Sequence, residues 1–372
     1  MTGAARLRVC LLAPGLYAWG SHSATGRAAR MLGRELVKRG VRVTAVIPRR
    51  HGQRELEQID GITVHGYPPE SPWRAASLCR EYDADIFHSL DPSLSTALAA
   101  AVQRKRRHVV TIRAPRNWVQ ELRSPGRASL ATDCLLDENP FVWLAVHRAD
   151  QLLCASEDLV QMARAKYRVQ QPLFLPTPVV VPRRVQKGKA PTVCFMGGWR
   201  RYRHPERFFE LAREFPAVTF VAVGRSRDRR YDASLRSEYN SLPNLRMTGP
   251  IDPFGSDALA NILSESWILI STGARPGLPD AFVDGAAHSC AILSDADPDG
   301  FATRFGYHAA HGDLAAGLET LLANDAWREL GERGHAHVLE RFETGRVMGK
   351  YLEMYELVGE DRKQKAESSE RL

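Results

Sequence analysis

The feature that most constrains this chain is an alternation: short apolar runs of strand length, each followed by a stretch with helical spacing, repeated along almost all of it. Residues 7–12 form one such run, 24–39 are amphipathic, and 41–47 are apolar again after Gly40. Ala28, Leu32 and Leu36 recur every fourth position, which places them on one buried helix face, and Gly40 stands where that helix should stop. Strand, helix and strand in this order make a βαβ unit with parallel strands and a right-handed crossover. Runs that are apolar at nearly every position belong to strands covered on both faces.

The same reading predicts further strands at 62–64, 86–87, 109–112, 152–154 and 173–175, with helical segments between most of them. Residues 176–189 are proline-rich and then basic, as an exposed connector would be. A second series follows: strands at 192–196, 218–223, 245–247, 267–271 and 291–293, and helices at 205–215, near 231–239, at 257–264 and at 281–288. A chain of 372 residues exceeds what one hydrophobic core usually serves. The expected domains are therefore 1–182 and 190–343, both α/β. Residues 312–358 are helical in pattern, while 360–372 form a polar tail expected to fray.

Charge is distributed unevenly. Residues 1–180 carry 25 Lys and Arg against 16 Asp and Glu, a balance of +9 within a net +8, so the remainder is slightly acidic. A basic surface attracts phosphorylated ligands, nucleic acid or anionic lipid headgroups. The densest run, Arg104-Lys105-Arg106-Arg107, reads equally as a helix end whose cations face the negative pole of the helix dipole. The basic residues lack interleaved aromatics, so no nucleic-acid partner is expected. The six cysteines, Cys10, Cys79, Cys134, Cys154, Cys194 and Cys290, lack the short spacings of metal or redox motifs. They read as buried thiols in a reducing compartment, the cytoplasm. The N-terminus lacks the long apolar core of a signal peptide, and no apolar run approaches the ~20 residues of a membrane span.

In open parallel sheets, ligands bind beyond the carboxyl ends of the strands. Four loops qualify. The first, 14–26, contains Gly20 and His22, and its length and aromatics favour a ligand-facing role over a plain turn capped by Ser23 or Thr25. It lacks the spacing of a dinucleotide-binding loop. The second, 197–205, sets Gly197 and Gly198 before Arg200, Arg201 and Arg203, a cluster able to clamp a diphosphate by bidentate hydrogen bonds. The third holds Gly224 and Arg225. The fourth runs through Gly277 to Asp280 and Asp284, four apart on one helical face, Asp280 being either an N-cap or a substrate contact. Two Asp-x-Asp pairs, Asp83 with Asp85 and Asp295 with Asp297, read as structural, and no metal is expected.

The order of these features resembles the family 4 glycosyltransferases, across nearly the whole chain. Arg39-Gly40-Val41-Arg42-Val43 looks like the end of the family's opening unit, Asp85-Ile86-Phe87-His88 like its D-x-x-H strand, and Ala149-Asp150 with Ser156-Glu157 like its A-D and S-E segment. Phe195-Met196-Gly197-Gly198 with Arg203, Val221-Ala222-Val223-Gly224, Met247-Thr248-Gly249, and Arg341-Phe342-Glu343 with Tyr351 and Tyr355 fall in family order. Some positions depart from it. The family's two glutamates separated by seven residues fall at Pro276 and Asp284, its strand-end arginine at Gly198, and its histidine after the V-T strand at Arg113.

The resemblance implies two Rossmann-like domains facing across a cleft (GT-B), with residues 344–359 forming a helix that packs back toward the first domain. It implies a nucleotide-sugar donor on the second domain and an unidentified acceptor on the first, with retention of anomeric configuration. Arg203 and Arg200 would be catalytic, stabilising the departing diphosphate. Gly197, Gly198, Arg201, Gly224, Arg225, Gly277, Asp280 and Asp284 would bind the donor, and Gly20, His22, His88 and Arg113 would lie on the acceptor side. No cofactor is required, and the basic first domain would be able to rest against an anionic inner-membrane face. Pro276 in place of a glutamate supports a second reading, a non-catalytic scaffold of the same fold; an epimerase or phosphorylase of that fold is a third.

Overall fold

A computed structural model describes residues 7–113, 139–273 and 277–369. Cys134 and Pro276 lie outside the described residues, as do Ala274 and Arg275 of the fourth loop.

The chain divides into two compact units, residues 1–178 with 344–372, and residues 179–343. The first is built on the strands β1 (Arg8–Leu12), β2 (Arg42–Pro48), β3 (Leu56–Ile59), β4 (Ile62–Tyr67), β5 (Ile86–Leu90), β6 (Arg107–Ile112), β7 (Gln151–Cys154) and β8 (Leu173–Phe174), in the sheet order β3-β4-β2-β1-β5-β6-β7-β8. All neighbours are parallel except β3 with β4. The opening helix Ala24–Lys38 starts at Ser23, whose Oγ accepts the Gly26 N–H, and buries Ala28, Ala29, Leu32 and Leu36. These apolar side chains give the helix a stripe that packs on β1, β2 and β4, each residue contributing about 1.5–3 kcal/mol of burial for the larger aliphatics.

The second unit contains β9 (Thr192–Met196), β10 (Thr219–Val223), β11 (Leu245–Gly249), β12 (Ile268–Ser271), β13 (Ala291–Ser294) and β14 (Gly306–His308), all parallel in the order β11-β10-β9-β12-β13-β14. The helices Glu206–Glu214 and Arg229–Tyr239 follow β9 and β10. Phe208, Phe209, Phe220 and Trp199 are fully buried in this unit's core. In both units strand order reverses at the first strand, β1 or β9, which puts a topological switch point at its carboxyl end.

The last helix, Thr344–Ser369, belongs to the first unit. Val347, Met348, Tyr351, Met354 and Tyr355 enter the same core as Leu11, Val43 and Ile86. Its backbone continues through most of the stretch expected to fray. The segment expected to be an exposed connector is anchored instead: Lys187 Nζ donates to the carbonyls of Leu263 (3.3 Å) and Ser266 (2.5 Å), and Trp267 Nε1 donates to the Gly188 carbonyl (2.8 Å). The five described cysteines are buried and free.

Candidate functional site

The carboxyl ends of β9, β10 and β11 are laced together. Gly197 N–H donates to the Val223 carbonyl (3.0 Å) and Gly224 N–H to the Gly249 carbonyl (2.9 Å). Gly197 and Gly224 both hold φ near 138°, a conformation that side chains rarely tolerate, and a Cβ on Gly224 would overlap the Gly197 carbonyl oxygen. These two amides therefore brace the strand ends against one another. Trp199 fixes the loop beyond: its ring is fully buried, edge-on to Phe209 with centroids 5.4 Å apart, and its backbone N–H donates to the Arg225 carbonyl (3.1 Å). Gly198 and Arg225 are exposed on either side of it.

The three arginines then separate. They lie in and beside a single helical turn, Arg201–Arg203, closed by His204 in the left-handed region. Arg203 folds back over the glycine loop, so that a Cβ on Gly197 would sit 3.3 Å from its Nη1. Among the described residues no hydrogen bond or ion pair holds its guanidinium. Arg200 lies beside Gly198, its Nε 3.8 Å from where a Cβ there would be, and among the described residues its guanidinium has only a distant ring contact at 6.0 Å to Tyr202. Arg201 turns toward the helix Arg229–Tyr239, lying 4.2 Å over the Tyr231 ring and 3.8 Å from Asp228 Oδ2. Two of the three are thus uncommitted cations at the strand ends.

Their backbone is held from the other side of β9. The Thr272 hydroxyl donates to the Arg203 carbonyl, and Gly273 packs so closely that a Cβ on it would come 2.7 Å from Arg203 Cα. Gly273 N–H donates to both oxygens of Asp295 (2.9 and 3.2 Å), which also pairs with Arg207 (2.5 Å). Asp297 receives the amides of Ala302 and Thr303. Asp83 and Asp85 pair with Arg8, and Asp83 also with Arg106. Both Asp-x-Asp pairs are therefore occupied by structural partners. Among the described residues no group of three or more His, Cys, Asp and Glu is arranged to hold a metal. Arg207 carried no local signal in the sequence, because its partner lies 88 residues away.

In the fourth loop, Gly277 is buried with φ 85°. Pro279 occupies the cap position, and Asp280 is the first residue of the helix Asp280–Ala287, so the N-cap alternative for Asp280 is not the one adopted. Asp284, one turn further on, is only 4% exposed.

The acceptor-side residues of the first unit take different roles. His88 is fully buried, Nδ1 bonded to the Tyr355 hydroxyl and Nε2 to the Thr111 hydroxyl, both at 2.7 Å. Burial pushes its pKa down to about 3, so the ring is neutral near pH 7, one nitrogen donating and the other accepting. A ring bonded on both nitrogens and shut from solvent does not face an acceptor in this conformation. It clamps the last helix to β5 and β6. Arg113 N–H donates to Asp91 Oδ1 (2.7 Å) and its guanidinium to the Thr177 hydroxyl. Asp91 also accepts from Thr25 Oγ1 (2.8 Å). Gly20 is exposed with φ 72°, and His22 sits edge-on to Tyr17 at 5.2 Å. Arg104 Nε donates to the Ala101 carbonyl (3.2 Å), the helix-end arrangement that one reading of the basic run gave.

Residues 23–178 match the family described as glycosyl transferase 4-like domain. Three solved structures align along nearly the whole chain. Sucrose-phosphate synthase from Thermosynechococcus elongatus is 15% identical, with 95% of this chain and 99% of that one covered at a TM-score of 0.73. Anabaena HepE, solved with UDP-glucose, is 11% identical over 94% and 99% at 0.68. The catalytic domain of starch synthase IV from Arabidopsis thaliana, bound to ADP and acarbose, is 14% identical over 95% and 99% at 0.63. No curated protein sequence matches the chain. Residues 23–178 therefore carry a glycosyl transferase 4-like domain, and the chain has the GT-B fold of these structures. Among the described residues no helix is long and apolar enough to cross a membrane.

Proposed function

We propose that this protein transfers a sugar from a nucleoside-diphosphate sugar to an acceptor with retention of configuration, and that the second unit holds the donor. The observation that carries the reading is the uncommitted Arg203 guanidinium over Gly197, at the switch point of the second sheet. As the glycosidic bond breaks, negative charge grows on the departing diphosphate, and a guanidinium already in place stabilises that charge without reorganising. Arg200 is the second cation. The N-terminus of the helix Asp280–Ala287, reached through Gly277, adds its dipole. Asp284 is the candidate for the ribose hydroxyls. Nucleotides bound to HepE and to starch synthase IV support a nucleotide donor here by analogy of fold.

No metal enters this scheme, since the two arginines supply the countercharge. The reading extends to a cytoplasmic enzyme whose basic first half is able to rest on an anionic membrane. The basic run contributes less to such contact than its charge suggests, because Arg106 is paired with Asp83. A non-catalytic scaffold is the alternative, and Pro276 in the glutamate position favours it.

A nucleotide-release assay over a panel of sugar nucleotides tests the proposal. Arg203→Ala should depress release at least tenfold, about the effect of removing one charge-assisted hydrogen bond. Release at the wild-type rate in that variant overturns the assignment of Arg203. Failure of the wild-type protein to bind any nucleotide by calorimetry favours the scaffold.

A further inference from the structure

The loop after β1 adjoins a second cationic position that the donor reading does not use. Arg50 follows β2, the neighbour of β1, and its Nη2 donates to the Pro14 carbonyl at 3.2 Å; that is its guanidinium's one bond among the described residues. The Arg50 side chain is exposed. Ser21, in the same loop as Pro14, is 8% exposed, and its Oγ is buried without a hydrogen-bond partner among the described residues. The two converge on Gly15: a Cβ placed there would lie 3.5 Å from Arg50 Nη2 and 3.9 Å from Ser21 Oγ. Glycine leaves that space to something else.

The loop itself is built, not loose. Tyr17 N–H donates to the Gly26 carbonyl (3.1 Å), Ser21 N–H to the Ala18 carbonyl (2.8 Å), and Arg30 Nη1 to the Tyr17 carbonyl (2.8 Å). It leads directly into the helix Ala24–Lys38, whose first turn contains no acidic side chain to offset the dipole. Among the acidic groups near these strand ends, Asp91 lies on the β5 side and is engaged by Thr25 and by Arg113 N–H. A buried hydroxyl with no partner is costly, and an anion's oxygen would relieve that cost.

We propose that the acceptor bears a phosphate, and that this phosphate docks beside Gly15 on Arg50 and Ser21, at the carboxyl ends of β1 and β2. The proposal rests on the glycosyltransferase reading for the word acceptor, though the anion site stands on its own geometry. Arg50 exchanges its bond to the Pro14 carbonyl for the phosphate, and Ser21 donates its hydroxyl proton to a second oxygen. A phosphate presents oxygens in several directions and suits two donors that approach one point from different loops, whereas a carboxylate offers two in one plane.

The test uses the full chain saturated with UDP, so that the donor-side arginines are filled, titrated calorimetrically with inorganic phosphate, glycerol 3-phosphate and acetate. Both phosphates should bind at one site and acetate much more weakly. Arg50→Gln should weaken phosphate binding about tenfold, the scale of a lost charged hydrogen bond. Ser21→Ala removes a hydroxyl that has no partner, so the unliganded melting temperature should hold or rise, while the rise produced by phosphate should shrink. Undiminished phosphate binding in Arg50→Gln overturns the proposal, as does equal binding of acetate. Loss of all phosphate binding on adding UDP to the wild-type protein also overturns it, because the site would then serve the donor. If UDP does not bind but phosphate does and Arg50→Gln abolishes it, the donor reading fails and the anion site survives.

Discussion

The two units use the same switch-point geometry to opposite ends. At the strand ends of the second unit, backbone amides are consumed in bracing Gly197 and Gly224, and two arginine side chains are left over. In the first unit, the polar side chains near the corresponding strand ends are largely consumed. His88 is bound by Thr111 and Tyr355, and Asp91 by Thr25 and Arg113. A polar residue at the end of a parallel strand is therefore as readily a brace as a ligand, and the count of its existing bonds decides between them.

The largest expected effect comes from breaking the brace. Gly224→Val should cost about 3 kcal/mol or more, because φ near 138° is strained for any branched side chain and the Gly197 carbonyl must move. Urea unfolding measures it, and nucleotide binding should fall with it; a variant as stable as wild type would show the two strand ends to be independent.

The second effect belongs to the first unit alone. Above about pH 6.5, His88 is neutral in both the folded and unfolded chain. Below that, the unfolded chain takes up a proton that the folded chain refuses until about pH 3, so stability falls as pH falls through this window. The slope from this residue is at most about 1.4 kcal/mol per pH unit. Urea midpoints between pH 6.5 and 4 should fall more steeply for wild type than for His88→Gln, and parallel slopes would mean that the ring titrates normally.

The smallest effect sharpens the contrast among neighbours. Arg201→Ala should lower nucleotide release less than about threefold, since its exposed guanidinium is already stacked on Tyr231 and near Asp228. A loss as large as that expected for Arg203→Ala would show that Arg201 leaves Tyr231 when the donor arrives.

The interior strands were legible because a strand covered on both faces must be apolar throughout, as Cys10-Leu11-Leu12 and Ile268-Leu269-Ile270 are. The edge strands β3 and β14 were not. Leu56–Ile59 has no buried residue and Gly306–His308 is only half-buried, so their pairing is set by the neighbouring strand and not by their own composition. The arginine cluster was legible as a cluster. Which of its members stays uncommitted was not, since Arg201 is drawn off by residues on a later helix. His88 shows the same limit more sharply, for its Tyr355 partner lies 267 residues downstream. Local spacing records what a residue is able to do, and distant partners determine whether it is left free to do it.

The last helix has a consequence for how the molecule is made. The chain leaves the first unit after Pro178 and returns at Thr344, and the two crossings are tied by a hydrogen bond from Val179 N–H to the Phe342 carbonyl. Tyr351 and Tyr355 are needed to fill the first core, so a ribosome must finish the second unit before the first can close. During synthesis, the portion translated earliest is the one that matures last, and its sheet, with all strands made but one face of the core not yet covered, is what a chaperone would meet.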